Sequence, residues 1–338
     1  MGSQLTGRTM SGRRLLTEQQ GRVLVVRFNN PPRNFFDEQM GSGLRALVRE
    51  IDKDSSLGAV IFTGNDLFVT HYSVPDLLRG ARSAPFQMSY RQARVLAAYV
   101  RFWERVGWFG GLLRRTPLRD ALTGAQTYRT FRRMNASEKV FIAAINGVAL
   151  GMGAILALAC DLRLMADDQA TAFGLIESGI SMLAGAGGTQ RLTRMVGQSR
   201  AAELLLEGRF ISPTEAAAIG LVHRVVPRDD LQAEALALAH RLAGRSPVLN
   251  QEIKRMVYDA GSKPFARAAR MEYASTIATM STPRATQDME KYLAELARHD
   301  SPTDRQILDV WQKMLDTGPS PDVATRDRGI GTNRAQLT

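Results

Sequence analysis

A single cysteine in 338 residues, Cys160, rules out an intramolecular disulfide and any fold that depends on one. The thiol lies in an apolar run with no histidine near it in sequence, so it reads as inert core rather than a nucleophile. Histidines number only four. The opening residues MGSQLTGRTMSGRRLLTEQQ lack the apolar stretch of a secretory signal, and the expected compartment is the cytoplasm. The stretch 141–160 has the length of a membrane span, but Gly147, Gly151 and Gly153 interrupt it. A strand, a turn and a buried helix explain it better.

Acid is what the middle of the chain lacks. The net charge is +11, and 79–133 holds twelve arginines, no lysine and only Glu104 and Asp120, a balance of +10. The rest is close to neutral. This segment reads as at least two helices. Over 88–107, Leu96, Tyr99, Val100, Trp103 and Val106 form one stripe, expected to face the core, with Arg91, Arg94, Arg101 and Arg105 mostly opposite.

What is present is an ordinary globular composition, 44% hydrophobic and 23% charged, in a chain long enough for a large core. Strands are expected at 21–28 (GRVLVVRF), 58–63 (GAVIFT), 142–145, 161–165 (DLRLM) and 220–226. Asp37 caps a helix through 51, Ser199 caps one over 199–207, and Ser212-Pro213-Thr214-Glu215 starts another. Helices follow over 229–243, 247–259 and, briefly, 309–315. Alternating strands and helices with near-continuous apolar strands predict an α/β core with buried strands.

The chemistry is concentrated in 146–192, NGVALGMGAILALACDLRLMADDQATAFGLIESGISMLAGAGGTQRL. The turn LGMG passes from strand to helix with its amides exposed. A helix N-terminus offers unpaired N–H groups and a positive dipole end, which suits an anion or an oxyanion. Glu177 follows as a candidate acid or base. Gly151-Met152-Gly153 also opens a GxGxxA pattern, but no ribose-binding acid follows at the right spacing, so a dinucleotide site is a weak reading.

Over about 21–297 the chain resembles the crotonase superfamily, the enoyl-CoA hydratase/isomerase family. The blocks that carry the resemblance are NGVALGMG (146–153), LALACDLRLMADD (156–168), FGLIESGI (173–180), GAGGTQRLTRMVG (185–197) and GRFISPTEAAAIGLVHRVVP (208–227). It implies a ββα-spiral core with C-terminal helices that trimerise. The domains are then a disordered tail 1–17, a core 18–227 with the Arg-rich insertion 79–133, a helical region 228–315 and a disordered tail 316–338. The substrate would be an acyl-CoA thioester, with coenzyme A arriving as part of it and no resident cofactor or metal. The partner is a second and third copy, as a homotrimer or dimer of trimers.

The resemblance also implies roles. Two backbone N–H groups hold the thioester oxygen while an enolate forms, and such donors work because they are fixed before the charge develops. By motif position they are the amides of Met152 and Tyr72; around the latter, Phe68-Val69-Thr70-His71-Tyr72-Ser73 stands where the family shows F-S-A-G-A-D. His71 replaces a glycine there, either as a loop residue or in binding and proton transfer. Hydratases of the family use two glutamates. Glu177 matches one, while the other position, in G-G-G-C-E-L, is Ile155, which can neither activate water nor give a proton. A lone carboxylate suits double-bond isomerisation better than hydration. The chain is expected to be an enolate-stabilising enzyme and a poor hydratase; a non-catalytic acyl-CoA-binding protein, or a decarboxylase or thioesterase-type member, is the alternative. Lys254 stands where the family often places a lysine near the nucleotide.

For the arginines, a solvated face is the first reading, contact with CoA phosphates or acidic partners the second, and a membrane-surface helix the third. Nucleic acid is not the expected partner. Trp103, Trp108 and Phe109 could wall or lid the acyl pocket.

Overall fold

The computed structural model describes residues 14–65, 67–83, 87–105 and 119–316. Val106, Trp108, Phe109, the side chain of Trp103, the first thirteen residues and those after 316 lie outside them. Within the described residues a six-stranded sheet runs in the order β1 (Leu15–Gln20), β2 (Val23–Phe28), β3 (Ala59–Gly64), β4 (Val140–Ile145), β6 (Leu162–Asp167) and β8 (Arg224–Pro227). β1 pairs antiparallel to β2, and the remaining pairs are parallel. β5 (Ala149–Leu150) and β7 (Phe173–Gly174) form a separate parallel pair.

Both faces of the sheet are buried, which is why its strands read as unbroken apolar runs. Val23, Val25, Ala59, Ile61, Ile142, Ala144 and Leu164 point to one face, where helix α8 (Leu231–Ala243) covers them with Leu231, Ala235, Leu238 and Ala239. Leu24, Val26, Phe28, Val60, Phe62, Phe141 and Ala143 point to the other. There they meet α1 (Glu38–Lys53), capped by Asp37 through its bond from Met40 N, together with α4 (Arg119–Ala136) and α5 (Met152–Ala159). α2 (Val74–Ser83) and α3 (Tyr90–Arg105) precede α4.

Several boundaries differ from expectation. Residues 15–17, assigned to a disordered tail, lie in β1, because Leu15 is buried and LLTEQQ adds an edge to β2 through full antiparallel pairing. The helix expected over 199–207 is present as the second half of α6 (Gly188–Glu207), which kinks at Gly197, whose φ of 79° only glycine adopts cheaply; the helical stretch before Gly197 was not expected. The strand expected over 220–226 shortens to β8. α7 (Pro213–Ala218) begins as expected, with Ser212 accepting from Glu215 N. The helical region expected from 228 divides in two: α8 belongs to the sheet's packing, whereas α9 (Pro247–Tyr258), α10 (Phe265–Met280), α11 (Pro283–Leu296) and α12 (Asp304–Asp316) follow outside it.

The apolar run 141–160 folds into most of β4, then β5 and α5, and among the described residues no helix is long and apolar enough to cross a membrane. Cys160 is fully buried, and burial pushes its thiol far above the usual range, which suits inert core. In α3, Val100 is buried and Leu96 half-buried as the stripe predicts. Tyr99 is not core-facing: it is 45% exposed, because only a narrow side of α3 meets α4.

Candidate active site

Glu177 and the glycine turn, 26 positions apart in sequence, are joined by the small β5–β7 pair. Ala149 pairs with Phe173 and Leu150 with Gly174, and Gly151 N donates to Gly174 O at 2.8 Å. The chain leaves β7 and reaches Glu177 within three residues, at the start of a 3₁₀ turn (Glu177–Ile180). Its carboxylate returns to the turn: a Cβ placed on Gly151 would lie 3.3 Å from Glu177 Oε1 and 3.3 Å from the Cβ of His71. These three residues therefore close on one point.

Gly151 carries the conformational demand of the turn, with φ 49° and ψ −115°, and caps α5 without a side chain. Met152 is then the first residue of an ordinary helix, and its side chain meets no backbone restriction. As that first residue it contributes one of the amides that helix geometry leaves without an intrahelical acceptor, at the positive end of the dipole.

The 68–73 loop lies directly against this helix start. Gly153 N donates to Thr70 O at 3.0 Å, and a Cβ on Gly153 would fall 1.7 Å from Val69 O. Only glycine permits that approach. On its other side the loop pairs with 34–36: Thr70 N donates to Asn34 O, Phe36 N to His71 O at 2.9 Å, and Ser73 N to Phe36 O at 2.8 Å. Phe36 and Tyr72 thus form a parallel bridge. In such a ladder the residue between the bonded acceptor and donor turns its own N–H to the opposite edge, so Tyr72 N–H faces away from Phe36.

His71 is not in the left-handed region, so the loop tolerates it in place of glycine. Its Nδ1 lies 2.7 Å from Tyr72 O. A carbonyl only accepts, so Nδ1 carries the proton and, in the neutral ring, Nε2 keeps the lone pair. Phe35 packs on the imidazole at 4.8 Å between ring centres.

Glu177 Oε2 is buried and has no hydrogen-bond partner among the described residues. Burial pushes the Glu177 carboxyl above the usual carboxylate range; a bond from its own backbone N–H and the charge of a protonated His71 pull it partly back. Ile155, which the sequence resemblance matched to the other glutamate, is 1% exposed and packs toward Gly188, where an added Cβ would lie 2.7 Å from its Cγ1.

Lys254 does not join this group, and the expected nucleotide contact is corrected. It is 5% exposed, and its ammonium donates to Met134 O and Lys139 O at 2.7 Å and to Asp161 Oδ2 at 2.8 Å. All three N–H groups are used inside the protein, leaving none for a phosphate. Tyr258 OH donates to Asp161 Oδ1, so two side chains of α9 fasten that helix to the start of β6. The bracing segment 33–36 was missed at the sequence level. Its signal was there in NNPPRNFF, where Asn34, at φ 50°, donates to Phe28 O and Leu67 O and accepts from Asn30 N.

A family model for enoyl-CoA hydratase/isomerase matches residues 107–314. A protein described as a probable enoyl-CoA hydratase of Mycobacterium bovis is 31% identical over 74% of this chain and 82% of its own length. The short-chain-enoyl-CoA hydratase of Clostridium acetobutylicum is 30% identical over 69% of this chain and 77% of its own length. A crystal structure of an enoyl-CoA hydratase from Geobacillus kaustophilus HTA426 matches with a TM-score of 0.69 at 25% identity, covering 87% of this chain and 97% of that one. The fold is crotonase-like, an α/β core with a C-terminal helical region. By these matches the chain belongs to the enoyl-CoA hydratase/isomerase family.

Proposed function

We propose that this chain acts on acyl-CoA thioesters through an enolate, with Glu177 as the single acid/base and the amides of Tyr72 and Met152 holding the thioester oxygen. The observation that carries this reading is the buried, unpartnered Oε2 of Glu177, on a carboxylate that reaches the Gly151 turn. Ionised, Glu177 takes a proton from the α-side carbon, and the electron pair left behind moves onto the thioester oxygen between the two amides. The acid so formed returns the proton to the far carbon of the allylic unit. The double bond shifts, the carboxylate is regenerated, and no water is consumed.

Hydration would need a second group to orient water. Ile155 supplies none, so isomerase-type chemistry is favoured over efficient hydration. A weak hydratase in which His71 replaces the missing glutamate is the second form of the reading, supported by the lone pair that its hydrogen bond leaves on Nε2. Coenzyme A enters as part of the substrate rather than as a resident cofactor. Self-association as a trimer or dimer of trimers is supported by exposed apolar side chains on the outer helices, among them Ile253, Val257, Phe265 and Ile277.

Exchange of α-protons in heavy water with a panel of acyl-CoAs tests the proposal. Exchange that Glu177→Gln abolishes supports it. Binding without exchange identifies a non-catalytic acyl-CoA-binding protein, and release of free CoA a thioesterase-type member.

A further inference from the structure

Helix α3 presents three different arcs. Val100 and Leu96 face the protein. Val95, Tyr99 and Phe102, spaced i, i+4 and i+7, form a second stripe that faces solvent, with 71%, 45% and 60% of their surface exposed. Arg91 and Arg94 are exposed and border that stripe on one side, Arg91 one turn before Val95. Tyr90, at the start of the helix, is also exposed. An apolar stripe on the outside, rimmed by cations, marks a contact surface.

Its charge setting says what kind. The outer helices also expose apolar side chains, but 228–315 holds thirteen lysines and arginines against twelve acids. That near-neutral setting suits a second copy of the chain. The α3 stripe lies instead in 79–133, with twelve arginines against two acids, and a like-charged copy of the same segment would repel it. The cations are all arginine, whose planar fork binds phosphodiester oxygens in pairs, and aromatic rings settle at the boundary between headgroups and acyl chains.

We propose that the exposed face of α3 docks on an anionic phospholipid surface, with Val95, Tyr99 and Phe102 entering the headgroup boundary and Arg91 and Arg94 contacting lipid phosphates. The helix lies in the plane of the surface and does not span it. This inference stands apart from the enolate chemistry. It concerns where the protein sits, and either reading can fail without the other.

Sedimentation of the full chain with phosphatidylcholine vesicles, with and without phosphatidylglycerol, tests it. Wild-type protein is expected to pellet with the mixed vesicles, to stay in solution with pure phosphatidylcholine, and to release as salt is raised. The double variant Val95→Asp/Phe102→Asp should lower the partition onto mixed vesicles about tenfold or more, and Arg91→Glu/Arg94→Glu should remove its salt dependence. These positions are on the surface, and an unchanged melting temperature confirms that the variants fold. Val257→Asp, on α9, should leave vesicle binding unchanged. A wild-type protein that ignores phosphatidylglycerol vesicles overturns the proposal. So does binding that survives Val95→Asp/Phe102→Asp, or that is lost with Val257→Asp.

Discussion

Glu177 and Ile155 stand at two positions that could each hold a carboxylate, and burial serves them in opposite ways. Ile155 is 1% exposed and packs toward Gly188, where an aliphatic side chain stabilises the fold by about 1.5–3 kcal/mol. Glu177 keeps a buried oxygen with no partner among the described residues, an arrangement that costs about 1–3 kcal/mol. One position has been given over to packing, while the other keeps a group that the fold alone would not choose. The difference separates stability from reactivity within one small region, and single substitutions can test it.

Glu177→Gln should have the largest effect, lowering α-proton exchange about a thousandfold. Because it removes a poorly solvated carboxyl, its melting temperature should not fall, and calorimetry beside the exchange assay would check both. A large loss of stability would place Glu177 with Ile155 as a structural residue. Gly151→Ala comes next. It forces a side chain into φ 49° and between Glu177 and His71, and should cut activity about a hundredfold while costing about 1–3 kcal/mol in denaturant melts.

Ile155→Glu exchanges the roles directly. It should cost about 3 kcal/mol by burying a carboxyl in an apolar setting, and should raise the ratio of hydration to isomerisation several-fold. An unchanged ratio would show that Ile155 is not what limits hydration. The smallest effect concerns pH. With its carboxyl raised, Glu177 becomes a base only at higher pH, so kcat/KM should rise as pH passes through that elevated value. His71→Ala removes a charge that favours the carboxylate and should move the rising limb further up. Stability has the opposite sign. The contribution of protonated Glu177 is present below the ordinary carboxylate range and lost as pH rises through the elevated value, and Glu177→Gln should erase that loss.

Much of this was legible in the sequence because it depends on backbone demands that residue types reveal. Asp37, Ser212 and Pro213 mark helix starts by chemistry that acts within four residues, and all three act as read. The glycines of LGMG announce a turn, and the structure places the turn's difficult angles on Gly151. Lys254 shows the limit of this kind of reading. Its position in a motif was visible, but not the three internal oxygens that claim its ammonium, because they come from residues 93 to 120 positions away. β1 was hidden because LLTEQQ becomes a strand only by pairing with β2. Long-range contact, rather than local propensity, decided each of these.

The missing side chain at Gly153 has a further consequence for how this protein can change. Val69 and residue 153 meet backbone to backbone, so the spacing between the loop and the helix start is fixed without any side chain between them. Substitutions at 71, 72 and 73 leave that spacing unaltered, which fits the three differences from the family motif that the sequence resemblance implies there. The freedom of the loop to drift rests on one position that has none. A methyl group at residue 153 should end it whatever residues follow Thr70.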